Sequence, residues 1–285
     1  MQDEINQEAP KLKRTVLDAD DVVAMMPKLK GHEKFVDWLL RVLDVDKVNA
    51  VHSRYCDTPG PQFVASLLED FRIKLRVDGE EVLESLPQGA FITVSNHPFG
   101  ALDGITLIYL ITRYRPEYKV MVNMVLNYIW AMRPNFIAVD ALASDDPKKK
   151  AVSMAGIKQA IEQVRSGKPL GFFPAGAVSK INWKGQLRDR EWQPSVVRLI
   201  KQLKVPVVPI FFHGSNSWWF NFLGLVSWQL RTLRLPAEVF RKCGTELHVS
   251  VGQPISVEEQ QAHASSVEEL GEFLKSRTYE LEKIK

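Results

Sequence analysis

From Gly89 onward, short apolar runs rich in branched and aromatic residues alternate with longer stretches whose apolar positions recur every three or four residues. The short runs predict strands over Phe91–Ser95, Lys119–Met124, Phe136–Val139, Leu170–Phe173, Val207–Phe212 and Leu247–Val251. The longer stretches predict helices over Asp103–Tyr114, Lys148–Arg165 and Pro194–Lys204, and a closing amphipathic helix over Val267–Ile284. Such alternation implies an α/β fold with a mainly parallel central sheet flanked by helices. Ahead of it, Asp18 to Phe71 reads mostly as helix, with apolar spacing in Lys34–Leu43 and Phe63–Leu68 and a breaker at Thr58-Pro59-Gly60-Pro61. The expected organisation is an N-terminal helical segment, residues 1–75, packed on an α/β domain, residues 76–285. No internal repeat or low-complexity segment interrupts it.

Open α/β sheets collect their chemistry where strands end and helices begin, because loops there present side chains and helix N-terminal amides to one crevice. The loop after the first of these strands reads Ser95-Asn96-His97-Pro98-Phe99-Gly100-Ala101-Leu102-Asp103. A histidine suits proton transfer near neutral pH, and a carboxylate on its other ring nitrogen would fix the tautomer and stabilise the imidazolium. His97 is therefore the candidate base and Asp103 its candidate partner, if the Pro98/Gly100 loop folds back to join them. Taken singly, the same residues read as a loop histidine and a helix N-cap.

Two further strand ends stand out. In Gly171-Phe172-Phe173-Pro174-Ala175-Gly176-Ala177-Val178-Ser179-Lys180 a buried strand runs into a small-residue turn whose amides could face an anion or a developing oxyanion. Val205-Pro206-Val207-Val208-Pro209-Ile210-Phe211-Phe212-His213-Gly214 is an apolar strand that contains a proline, which a strand edge or bulge would also explain.

The order and spacing of these blocks, from Gly89 to Gly214, resemble the glycerolipid and lysophospholipid acyltransferases. The first block is similar to their His-x4-Asp motif, with one extra residue. That makes Asn-His-Pro-x-Gly-x-x-Asp, the form of the ornithine-lipid and glycine-lipid type O-acyltransferases and of related hemolysin-like proteins. The second block is similar to the family's Phe-Pro-Glu-Gly-Thr-Arg-Ser: Phe173, Pro174, Gly176 and Ser179 match, whereas Ala175 stands for the glutamate and Val178 for the arginine. Pro209 matches the proline of the last block. The resemblance implies catalysis by His97 and Asp103, with Asn96, Phe173, Pro174, Gly176, Ser179, Lys180 and Pro209 as substrate-binding candidates. The family's arginine is associated with an acceptor phosphate, which suits a guanidinium fork. Its replacement points to a lyso-aminolipid acceptor of the ornithine or glycine type ahead of lysophosphatidate. Lys180, Lys184, Arg188 and Arg190 either restore positive charge or form a solvated face. Two other readings stay open: a 1-acylglycerol-3-phosphate acyltransferase of phospholipid synthesis, and a non-catalytic lipid-binding membrane protein.

No Gly-x-Ser-x-Gly elbow offers a nucleophile, and no phosphate-binding glycine loop signals ATP or a dinucleotide. Direct transfer needs an acyl group that arrives activated, and the resemblance implies an acyl carrier protein or coenzyme A thioester as co-substrate, with no cofactor. The histidines at 32, 52, 97, 213, 248 and 263 show no metal-ligand spacing, so no metal is expected in the reaction.

With 285 residues and 45% hydrophobic content, the chain can build one large core. A net charge of +3, from 37 basic and 34 acidic residues, is too balanced to suggest nucleic acid as a partner. Two cysteines are too few for a disulfide framework and fit a reducing compartment. The polar N-terminus lacks the pattern of a secretion signal, and no apolar run reaches the roughly 18 residues of a spanning helix. The aromatic stretch Trp218–Trp228, with Arg231, Arg234, Arg241 and Lys242 after it, suits either a membrane interface or a core helix. The expected location is peripheral, on the cytoplasmic face of the inner membrane.

Overall fold

The computed structural model describes residues 13–139, 147–182, 185–226, 231–232 and 234–284. Lys184 and Trp228 lie outside the described residues. The N-terminal segment is helical: α1 (Ala19–Met25), α2 (Glu33–Val42), α3 (Val45–Tyr55) and α4 (Pro61–Asp70). The expected break is real, because Gly60 has a positive φ of 86° and Pro61 opens α4, where its missing N–H costs no helix hydrogen bond. Then come β1 (Lys74–Asp78), α5 (Glu80–Glu84), β2 (Ile92–Ser95), α6 (Ala101–Thr112), β3 (Lys119–Asn123), two 3-10 turns and β4 (Phe136–Val139). α7 (Pro147–Arg165), β5 (Leu170–Phe172), a two-stranded ribbon of β6 (Lys180–Ile181) and β7 (Leu187–Arg188), α8 (Pro194–Leu203) and β8 (Val207–Phe212) follow. The chain closes with α9 (Trp218–Val226), α10 (Leu235–Arg241), β9 (Glu246–Val251), α11 (Val257–Ala262) and α12 (Val267–Glu280).

Seven strands form one sheet in the order β1-β9-β8-β2-β5-β3-β4. The five from β8 to β4 are mutually parallel, while β9 runs antiparallel to β8 and parallel to β1. The sheet is therefore mostly parallel and covered on both faces. β8 is buried at all six positions, as a strand packed on both faces must be. One core joins α4 and α6 to Phe91, Val120, Ile210 and Val249; the other joins α7, α8 and α12 to Ile92, Val94, Phe172 and Val207.

β1 escapes the sequence pattern and straddles residue 75, where the helical segment was expected to end. Lys74 and Arg76 face outward while Leu75 and Val77 pack on the first core, so half of this edge strand reads as polar. β2, β5 and β8 lie side by side, and their C-terminal ends deliver the three loops singled out by the sequence to one rim of the sheet.

Candidate active site

At the end of β2, the Asn96 side chain clasps the neighbouring strand: its Nδ2 donates to the Phe212 carbonyl at 2.9 Å, and its Oδ1 accepts the Phe212 N–H at 2.7 Å. The chain then turns back through Gly100, whose φ is +80° and whose missing Cβ would lie 2.8 Å from Leu235. This places Asp103 in the first turn of α6. Its Oδ2 accepts the N–H groups of Phe99 and Gly100 at 2.9 and 3.0 Å, and the Nδ1 of His97 lies 2.9 Å from the same oxygen. Cap and partner are thus one arrangement. Asp103 is fully buried, and burial pushes its carboxyl above the usual range against the pull of His97 and the two amides.

The imidazole of His97 stacks on Phe173 from the end of β5, with ring centroids 4.1 Å apart. Both rings line a cavity of about 430 Å³ that runs between β3, β4, α6, α7 and α8, walled by Ile105, Leu126, Met132, Phe136, Ile157 and Leu199 among others. The few polar groups on its wall include Asn123, Gln193, Ser195 and Arg198. With Nδ1 turned to Asp103, Nε2 is left for chemistry at the cavity. Gly176 also lines it, at φ +64°, where a Cβ would meet Gln193 Nε2 at 2.0 Å. The Gly176 and Ser179 amides are already spent, on the carbonyls of Phe173 and His97, so neither faces an oxyanion here.

The remaining candidates sit elsewhere. Pro174 is buried in the turn and its carbonyl accepts the Gln193 N–H. The Ser179 hydroxyl donates to Asp189 at 2.5 Å, and Ser179 and Asn96 line a second, polar cavity of about 290 Å³ outside the apolar one. Lys180 is exposed on β6. Pro209 lies within β8 opposite Val94, and its carbonyl accepts from Gly252. Its side without an N–H thus faces the end of the β9 ladder, which starts at Ile210. Pro209 contributes to the sheet and stands off the cavity wall.

Two residues to which sequence reasoning gave no place at the site hold the loops together, Arg231 being expected only as a cation beside the aromatic stretch. Asp189 accepts both the His97 N–H at 3.2 Å and the Ser179 hydroxyl, while its own N–H donates to Tyr279. Burial raises its carboxyl above the ordinary range, outweighing Ser179 and His97. Arg231, also buried, donates to the carbonyls of Val178 and Ser179 at 2.8 and 3.2 Å and lies over Phe220. Neither carries a local signal: Asp189 stands in the charged run Arg188-Asp189-Arg190-Glu191, and Arg231 is 52 residues beyond the loop it holds.

Comparison with known proteins places the chain among lipid acyltransferases in sequence and in fold. A curated lyso-glycine lipid O-acyltransferase of Bacteroides thetaiotaomicron is 30% identical over 254 residues, covering 84% of this chain and 88% of that protein. Another, from Phocaeicola vulgatus, is 26% identical over 231 residues, covering 77% and 78%. The crystal structure of the 1-acyl-sn-glycerophosphate acyltransferase PlsC from Thermotoga maritima shares the fold, with a TM-score of 0.50 over 88% of each chain at 14% identity. The acyltransferase family model spans residues 18–284, so the pairing of His97 with Asp103 at the head of an apolar cavity lies in a chain that belongs to the acyltransferase family, enzymes that transfer acyl groups.

Proposed function

We propose that the chain moves a fatty acyl group from an acyl carrier protein or coenzyme A thioester to the hydroxyl of a lyso-lipid, with a lyso-aminolipid of the glycine or ornithine type as acceptor. The observation that carries this reading is the 2.9 Å approach of His97 Nδ1 to Asp103 Oδ2 beside a cavity with mostly apolar walls. The cavity suits the acyl chain. His97 Nε2 takes the acceptor's hydroxyl proton as its oxygen attacks the thioester carbonyl carbon, and Asp103 stabilises the imidazolium that forms. Collapse of the tetrahedral intermediate breaks the C–S bond; His97 returns the proton to the departing thiolate, leaving an ester and a free thiol.

The names of the curated relatives support the acceptor class. So does Val178, which stands where the resembled family carries its arginine and is buried against Gly100. Of the cations that could replace that arginine, Arg188 is paired with Glu282, whereas Lys180 and Arg190 remain exposed. Membrane contact rests on α9, where Trp218, Trp219, Phe222 and Leu225 share an exposed face. Phe35, Trp38 and Val42 do the same on α2. No described helix is long and apolar enough to cross a membrane. The surface implied is the cytoplasmic face of the inner membrane, in keeping with two free cysteines.

The test supplies acyl carrier protein and coenzyme A thioesters with lyso-glycine lipid, lyso-ornithine lipid or lysophosphatidate, and reads the diacyl product by mass spectrometry. Wild type should acylate a lyso-aminolipid, and His97→Ala should lose about 10²- to 10⁴-fold in rate with an unchanged melting temperature. Equal activity in that variant defeats the enzymatic assignment; preference for lysophosphatidate defeats the acceptor.

A further inference from the structure

At the reversed edge of the sheet, β1, β9 and β8 bring a second group of imidazoles and a carboxylate together. β1 pairs with β9 so that Asp78 lies beside Ser250, and the His213 N–H, just past β8, donates to the His248 carbonyl at 3.0 Å. The two imidazoles stack face to face, with centroids 3.9 Å apart and planes 9° from parallel. His248 Nε2 contacts Asp78 Oδ2 directly, and Ser250 Oγ links the other ring to that carboxylate, 2.8 Å from His213 Nε2 and 3.2 Å from the same Oδ2. One donor atom from each of Asp78, His213 and His248 falls within 4.8 Å of the others.

We propose that Asp78, His213 and His248 form a binding site for a divalent transition-metal ion of the Zn²⁺ class, which clips the edge strand β1 to β9 and β8. Two imidazoles and one carboxylate are the donors such an ion prefers, whereas Mg²⁺ and Ca²⁺ call for oxygen alone. Bonds of about 2.0 Å draw such donors to roughly 3.3 Å from one another and turn the two imidazoles out of their stack so that both ring planes aim at the ion, a movement of side chains on a fixed sheet. The site is enclosed but reachable, since the His248 and Asp78 side chains are 19% and 22% exposed. His213 also lines the polar cavity of about 290 Å³, from which water can supply a fourth ligand. Arg76 opposes the ion's charge, yet its Nε stands 3.9 Å from the other carboxylate oxygen, Oδ1, on a side chain half exposed to water. None of the three donors lines the apolar cavity beside His97, so the role assigned to the clip is structural.

The experiment uses the full chain without an affinity tag, stripped with a chelator and titrated with Zn²⁺ by calorimetry and with Co²⁺ by visible absorption. One ion should bind per chain and raise the melting temperature to a plateau. His213→Ala and His248→Ala should each weaken binding at least about ten-fold, while His263→Ala, which alters an imidazole stacked on Phe273 far along the chain, leaves it unchanged. If the alanine variants fail to fold without metal, Ser250→Ala keeps all three donors and should still weaken binding about ten-fold through loss of the hydroxyl that orients them. Absence of saturable binding by the folded wild type, or binding indifferent to His213→Ala, His248→Ala and Ser250→Ala, overturns the site.

Discussion

The carboxylate of Asp103 turns one oxygen, Oδ2, towards the amides of Phe99 and Gly100 and towards Nδ1 of His97, so the geometry that caps α6 also sets the imidazole. Asp189 does a related job from 92 residues away, by holding the His97 N–H and the Ser179 hydroxyl on one carboxylate oxygen. It touches no reacting atom; it is a positioning residue. Asp189→Asn should therefore lower kcat by roughly ten- to a hundred-fold through a displaced His97, with KM little changed. A purely structural role would instead lower the melting temperature and spare kcat. The same variant tests the raised carboxyl. A folded-state value above the unfolded one means that ionised Asp189 costs stability at neutral pH, and the cost fades as pH falls through the folded value towards about 4. Urea midpoints at about pH 7 and pH 5 should thus show the wild type gaining on the variant as the solution is acidified; a constant gap would count against a perturbed carboxyl.

Among the elements, α9 departs furthest from burial: Trp218 is 67% and Leu225 71% exposed on one face, while Phe220 on the other is buried beneath Arg231. That division excludes a fully buried core helix over Trp218 to Leu225, because of these eight residues only Phe220 and Asn221 are buried. Trp218→Asp with Leu225→Glu should cut co-flotation with anionic vesicles at least about ten-fold while leaving turnover on a detergent-dispersed acceptor intact. Undiminished flotation would move the membrane contact elsewhere. The fold's parallel strands were legible because strands buried on both faces are continuous apolar runs, as in Val207–Phe212. β1 was not, since Lys74 and Arg76 interrupt the run at an edge where water meets one face. His97 and Asp103 were legible because only five residues and one tight turn separate them. Asp189, Arg231 and the histidine pair at the sheet edge were not, since each meets its partners only after the sheet has ordered its strands.

On the scale of the molecule, the sheet holds together two distant parts of the chain. β1 runs along β9 from Lys74 opposite Glu246 to Asp78 opposite Ser250, and β9 is the strand that joins it to β8. At this edge, synthesis and assembly run in opposite order: the strand made first waits through some 170 residues for its neighbour, and such distant pairing is slow to form. A chain ended at Gly244 should accordingly lose cooperative melting and bind a dye for exposed apolar surface, although every residue of the His97 loop, β5 and β8 is present. The arrival of Glu246–Val251, far along the chain from the imidazole, is then the step that lets the newborn enzyme close its edge strand β1.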